Sequence, residues 1–376
     1  MSEYQYYEFL ALDRPLTRKE MAALRDISSR AEITPTSFTN HYEWGDLKAD
    51  PLELLRRYFD VFVYVANWGT RWIALRIPQE ALPVKTARPY LTHEYNGLRK
   101  EGDSVLISLS SEDEEMEDWD DGTGWMASLA PVRGELLRGD LRPLYLAWLA
   151  AVREKGLEDE EPEPPPPPGL GQLTPAQTRL AEFLRVDPHL LDAAAAGSGE
   201  MAASADGLED WVAVLPSREK DRLLAAVAMG NDGPVGAGLF RRFRTAQAVT
   251  PAASRRRVGE LLAAAESRRE QHLREQARIA EERRRREAEA AASAREARLA
   301  ALAERPEEAW ANIERLAASK QQASYVEAVA LLHDLGEVAA RAGAPAVFAE
   351  RLAGLQDRHA RKYKLMERIR NAQLTG

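Results

Sequence analysis

Cysteine is absent from the chain's 376 residues. Disulfides, thiolate nucleophiles and every cysteine-ligated zinc or iron–sulfur site are thereby excluded. Histidine is scarce: the six, at positions 41, 93, 189, 272, 333 and 359, fall singly, and no HExxH pair occurs. No histidine-centred metal site is expected from such spacing. No apolar run reaches the roughly 18 residues of a membrane span, and residues 1–10 have neither the basic nor the apolar region of a secretion signal. The expectation is a cytoplasmic protein without membrane contact. GxGxxG, GxxxxGK[ST] and GxSxG are also missing; Gly233, Gly236 and Gly238 around Pro234 lack the lysine and the preceding strand of a phosphate loop. No catalytic residue, metal ligand or cofactor is therefore assigned.

What is present is modular. The chain is 45% hydrophobic and 30% charged, the balance of a globular protein, and its length suits two or three cores. Residues 4–12 read as a strand, with Tyr7, Phe9 and Ala11 alternating against Tyr6, Glu8 and Leu10. Thr17 and Glu20 make a capping box before Met21, Leu24 and Ile27. Residues 31–44 are extended by composition. Asp50, Pro51 and Glu53 give an N-cap, an N1 proline and a second capping box that open a helix toward Gly69, although the β-branched run 61–65 also suits a strand. Alternation returns at 71–77 and 104–110, and a helix from Asp140 lines up Leu144, Tyr145, Trp148, Leu149 and Val152. The order predicts an α+β domain over 1–156, a small sandwich of split-βαβ character.

Residues 158–168 are five acids and six prolines, which predicts an extended acidic, proline-rich linker over 157–173. All that follows is all-α. A small helical domain spans 174–249, opened by Thr174-Pro175 with Gln177 and by Asp187-Pro188; a long charged helix spans 250–305; a terminal bundle spans 306–376. The long helix would measure about 80 Å if unbroken. A heptad begun at Val258 puts His272, Arg286, Arg269 and Arg283 at core positions, a poor coiled-coil seam.

Three charged groups are candidate binding residues. Eight of the ten residues 112–121 are acids: Glu112, Asp113, Glu114, Glu115, Glu117, Asp118, Asp120 and Asp121. They suit a solvated loop or a protein-binding loop, with a basic surface as counter-charge. A calcium loop begun at Asp118 fails because Leu129 stands at the twelfth position. The tail carries Arg358, Arg361, Lys362, Lys364, Arg368 and Arg370 against Glu367 alone, with Phe348, Leu352, Leu355, Tyr363, Met366 and Ile369 expected on the buried stripe. Together with Arg241, Arg242 and Arg244 these cations suit a phosphate backbone as well as they suit a solvated face. His41, flanked by Tyr42, Glu43 and Trp44, is the histidine expected in an aromatic pocket.

The opening YYEFLALDRPLT and the tail segment HARKYKLMERI resemble those of a bacterial protein family to which no activity is assigned. The resemblance covers about the first 80 and last 50 residues and implies only a bacterial cytoplasmic protein. Three functions remain open on these residues: a non-enzymatic adaptor with a protein partner, a nucleic-acid-binding protein, and an enzyme with a carboxylate-based metal site in 112–121.

Overall fold

A computed structural model of the chain describes residues 3–91, 96–113, 120–154, 157–199, 207–229, 232–247, 256–319 and 321–374. They form two compact units, Met1–His272 and Leu273–Gly376. Unit 1 is built on one antiparallel sheet of seven strands in the order β2-β3-β1-β4-β5-β7-β6. The strands are β1 (Gln5–Leu10), β2 (Glu32–Ile33), β3 (Ser37–Tyr42), β4 (Val61–Ala66), β5 (Arg71–Pro78), β6 (Asn96–Glu101) and β7 (Ser104–Ser111). An α+β front followed by helices is thus the observed fold.

Both faces of the sheet are covered, which explains why β4 is apolar without interruption. Val61, Val63 and Val65 point to one core with Ile73, Leu75, Val105 and Ile107. Phe62, Tyr64 and Ala66 point to the other, with Phe9 and Phe38, under helices α1 (Arg18–Ile27) and α2 (Pro51–Tyr58). The period of two divides the run between two buried faces, so no polar side remains to reveal it. Phe9 faces Phe38 on one neighbour and Phe62 on the other, stacking on Phe62 with ring centres 4.4 Å apart. The helix begun at Pro51 accordingly stops at Tyr58 rather than near Gly69. Asp50 caps it through Leu52 N (2.9 Å), but Glu53 binds Arg56 instead of closing a box.

The first core is closed by helices after a short α3 (Val84–Ala87): α4 (Trp125–Leu129), α5 (Pro131–Leu137), α6 (Arg142–Glu154), α7 (Pro175–Phe183) and α8 (Pro188–Ala195). On α6, Leu144, Tyr145, Trp148, Leu149 and Val152 are all buried. The capping boxes Thr17/Glu20 and Thr174/Gln177 both form. Helices α9 (Leu208–Ala213), α10 (Ser217–Ala228) and α11 (Asp232–Gln247) complete the set before α12 (Val258–Glu304).

The acidic proline segment is not a solvated linker. Leu157 and Leu170 belong to the unit 1 core, and Glu163 is 3% exposed. Its carboxylate takes two hydrogen bonds from Arg256 (2.6 and 2.7 Å) and one from the Tyr145 hydroxyl, while Pro162 and Arg257 form a β-bridge. The partner that draws the segment in lies 93 residues downstream, beyond the reach of local composition. The division into units falls inside α12, not at 157–173.

In unit 2, residues 273–298 of α12 are exposed at every position except Glu282. Below them α13 (Pro306–Ala318), α14 (Gln322–Arg341), α15 (Pro345–Arg358) and α16 (Tyr363–Asn371) share a core of Trp310, Ile313, Leu332, Leu335, Leu352, Leu355, Leu365 and Ile369. No described helix is long and apolar enough to cross a membrane.

Candidate binding surfaces

The tail is two helices, not one: α15 ends at Arg358 and α16 starts at Tyr363. The break changes the buried stripe. Leu365 and Ile369 face the core, whereas Tyr363, expected inside, is 71% exposed. The six tail cations divide into two groups. Arg358 donates to Glu314, which His359 also contacts (2.8 Å), and Lys362 donates to the Ala317 carbonyl. Burial would raise the Glu314 carboxyl, but His359 and Arg358 outweigh it and hold it below its usual range. Arg361, Lys364, Arg368 and Arg370 are exposed and form no ion pair with a described residue.

That freedom is unusual for unit 2. Arg278, Arg283, Arg285, Arg286, Arg295, Arg298, Arg305, Arg341 and Arg351 all reach a carboxylate. Lys364 and Arg368, four residues apart on α16, share a face, with Arg361 three residues before Lys364. Arg284 on α12 and Arg315 on α13 likewise form no ion pair with a described residue, but Arg361, Lys364, Arg368 and Arg370 are the ones that fall together, within residues 361–370.

Arg241, Arg242 and Arg244 lie on α11 in unit 1. Arg242 is held by Glu219 (2.6 Å) and sits over the Trp211 ring, and Arg241 packs half-buried against Gly139. The Arg244 side chain lies outside the described residues.

Of the acidic stretch, Glu114, Glu115, Glu117 and Asp118 also lie outside the described residues. Glu112 is exposed, and Asp113 lies 3.8 Å from Arg185. Asp120 accepts from Arg71 (2.7 Å), the Trp125 indole N–H (2.9 Å) and Gly122 N (3.0 Å). Asp121 takes the hydroxyl and backbone N–H of Thr123, which hold its carboxyl below the ordinary range. Both aspartates thus anchor the loop to its own chain. Among the described residues no group of three or more histidines and carboxylates is arranged to hold a metal ion. His41 is exposed at the surface, with its ring stacked near Tyr4, rather than inside a pocket.

Unit 1 also holds two buried charge clusters. Asp60, 1% exposed, accepts from Leu12 N (2.6 Å) and Asp13 N (2.9 Å) and pairs with Arg76 and Arg133. Burial alone would raise its carboxyl; Arg133, the Asp13 amide and Arg76 prevail and lower it. Around Arg142, 2% exposed, Asp140 and the carbonyls of Gly169 and Gln172 take its donors, and Gln177 bridges Asp140 to Glu135. Charges satisfied this completely fix chain segments to one another.

A recess of about 590 Å³ in unit 1 was not legible in the sequence. Its lining includes Glu3, Gln5, Tyr7, Asp46, Tyr64, Trp68 and Trp72. The alternation of β1, β4 and β5 puts Gln5, Tyr7, Tyr64 and Trp72 on one sheet face, where Tyr7 faces Tyr64 across the ladder and Tyr64 faces Trp72. Only the pairing register brings them to the loop that carries Asp46. No family model, no curated protein and no solved structure matches the chain, so the likeness of its two ends brings no activity to any of these residues.

Proposed function

We propose that the chain is a non-enzymatic binding protein of adaptor type, a subunit of a bacterial cytoplasmic complex, whose basic tail contacts an anionic protein partner. The supporting observation is the cluster Arg361, Lys364 and Arg368, exposed and without an ion pair to a described residue, in a unit where ten other arginines reach carboxylates. A second reading, nucleic-acid binding, is favoured by Tyr363, 71% exposed beside this cluster, because an aromatic ring offers a base a stacking face.

Fluorescence anisotropy of the full chain with a labelled polyglutamate peptide and a labelled DNA duplex, each across a salt series, tests both. The adaptor reading expects peptide binding that Arg361→Ala/Lys364→Ala/Arg368→Ala abolishes. If duplex DNA binds instead, the triple change should reduce the slope of log affinity against log salt by about 2.7. Binding of neither probe at low salt would remove the tail from the binding surface.

A further inference from the structure

We infer that the recess between Trp68, Trp72 and Asp46 is a docking site for an arginine side chain of a protein partner, a site in unit 1 independent of the tail.

Three tryptophans of this protein show what such a ring can attract. Trp125 lies under Arg179 (4.3 Å to the ring centre) and Arg71 (5.1 Å), Trp310 under Arg351 (5.0 Å), and Trp211 under Arg242 (5.6 Å). An arginine over an indole gains from the ring's negative face and from stacking its flat guanidinium. Trp68 is 43% exposed and Trp72 half-buried, and no cation among the described residues covers either. Among the described residues, the internal arginine that these three rings have is missing here, as it is at Trp44 and Trp148.

Charge makes the same demand. Asp46 Oδ1 accepts from Leu47 N (2.9 Å) and lies 2.6 Å from the Tyr7 hydroxyl, while Oδ2 has no hydrogen-bond partner among the described residues. Glu3 stands exposed at the rim, also without an ion pair to a described residue. The floor supplies no cation to answer them. The Tyr7 and Tyr64 hydroxyls meet Gln5 Oε1 at 2.7 and 2.8 Å, and Gln5 Nε2 donates to the Gly45 carbonyl (3.0 Å). Burial, with Asp46 close by, pushes both tyrosine hydroxyls up, so they stay neutral. A carboxylate oxygen beside an uncovered indole suits a guanidinium better than an ammonium, because the planar fork binds the oxygen while its face lies on the ring.

The site is also held in place. Trp68 sits in the β4–β5 turn, closed by Ala66 N to the Thr70 carbonyl (2.9 Å) and Gly69 N to the Ala66 carbonyl (3.0 Å). Gly69 has φ +93°, and a Cβ there would lie 1.8 Å from the Asp113 carbonyl oxygen. Only glycine permits this approach, so the turn is wedged against residue 113 with its indole beside the recess.

Titrating the full chain with acetyl-Gly-Arg-Gly-amide, and with the same peptide carrying lysine or neutral citrulline, tests the assignment by isothermal calorimetry. The arginine peptide should saturate one site, with citrulline at least tenfold weaker and lysine between them. Trp68→Ala and Asp46→Asn should each weaken the arginine peptide at least fivefold, whereas Trp44→Ala, 69% exposed and outside the lining, should not change it. Trp68→Phe, which keeps a ring in the turn, should fall between Trp68→Ala and the parent. Equal affinity for arginine and citrulline, indifference to Trp68→Ala and Asp46→Asn, or no saturable binding would each overturn the proposal. The triple tail variant should bind the peptide unchanged, so failure of the tail reading and failure of this one are read separately.

Discussion

Unit 1 holds 44 acidic residues against 32 basic ones, and unit 2 holds 16 against 19, but where the charges sit separates them further. In unit 1 the side chains of Asp60 and Glu163 are 2% and 1% exposed, each matched to arginine and to backbone or hydroxyl donors. In unit 2 many pairs run along one helix surface, as in Arg278 with Glu275, at 63% and 55% exposure, and of those between helices one, Arg298 with Asp334, has a carboxylate side chain as little as 9% exposed. A buried pair cannot lose one member without stranding the other in a poor dielectric, whereas water replaces a surface partner readily. The same residue types therefore fix buried segments in unit 1, whereas in unit 2 they act chiefly at exposed positions, along helices and between them. Among the described cations of unit 2, Arg361, Lys364, Arg368 and Arg370 of the tail, with Arg284 and Arg315, stand outside these pairs.

The sharpest way to break this comparison is to remove one carboxylate from each unit. Glu163→Ala strands Arg256 and the Tyr145 hydroxyl, and loss of one member of a buried pair costs about 3–5 kcal/mol. Unit 1 should melt earlier in calorimetry, and residues 157–173 should be cleaved faster by protease than in the parent. Glu275→Ala in unit 2 should leave the transition where it was. Equal shifts for the two variants would end the distinction between structural and solvating charge.

Acid should separate the units next. The folded Asp60 carboxyl lies below its unfolded value, so its contribution is fully present above about 3.9, the unfolded pKa, and disappears as pH falls through the lower folded value. Glu314 is shifted the same way in unit 2, but its side chain is 35% exposed and water screens the loss. Hydrogen exchange at falling pH should therefore open β1 and β4 amides before those of α13. Asp60→Asn should flatten the acid limb of unit 1 and leave that of unit 2 alone.

The sequence revealed what depends on neighbours a few residues away. Thr17 with Glu20 and Thr174 with Gln177 are boxes of three-residue reach, and the α6 stripe follows from a period of 3.6. It hid what depends on distant partners. Val61 to Ala66 has no polar side because both sheet faces are covered; Glu163 is buried because Arg256 arrives 93 residues later. The recess is hidden for the same reason, since Gln5, Asp46 and Tyr64 meet only through strand pairing. Of the tail cations the sequence supplied the full set, and packing against α13 withdrew Arg358 and Lys362 from it.

The smallest expected effect sharpens the comparison most. Residues 273–298 of α12 bury almost nothing, so their helicity rests on propensity and on pairs such as Arg278 with Glu275 and Glu282, Arg286 with Glu282, and Arg283 with Glu287. Self-association through a heptad seam would not rescue them, because Arg283 and Arg286 occupy its core positions and would be buried without partners. At about 1 M salt the screening length falls to about 3 Å, which weakens exposed pairs and spares buried ones. Amides of 275–298 should then exchange a few-fold faster than at low salt, while those of β4, between two cores, keep their rates. Sedimentation should show no salt-dependent dimer. Salt-insensitive exchange in 275–298 would mean that propensity alone holds this helix, and a dimer would mean that the exposed Leu273 and Ile279 outweigh the arginines beside them.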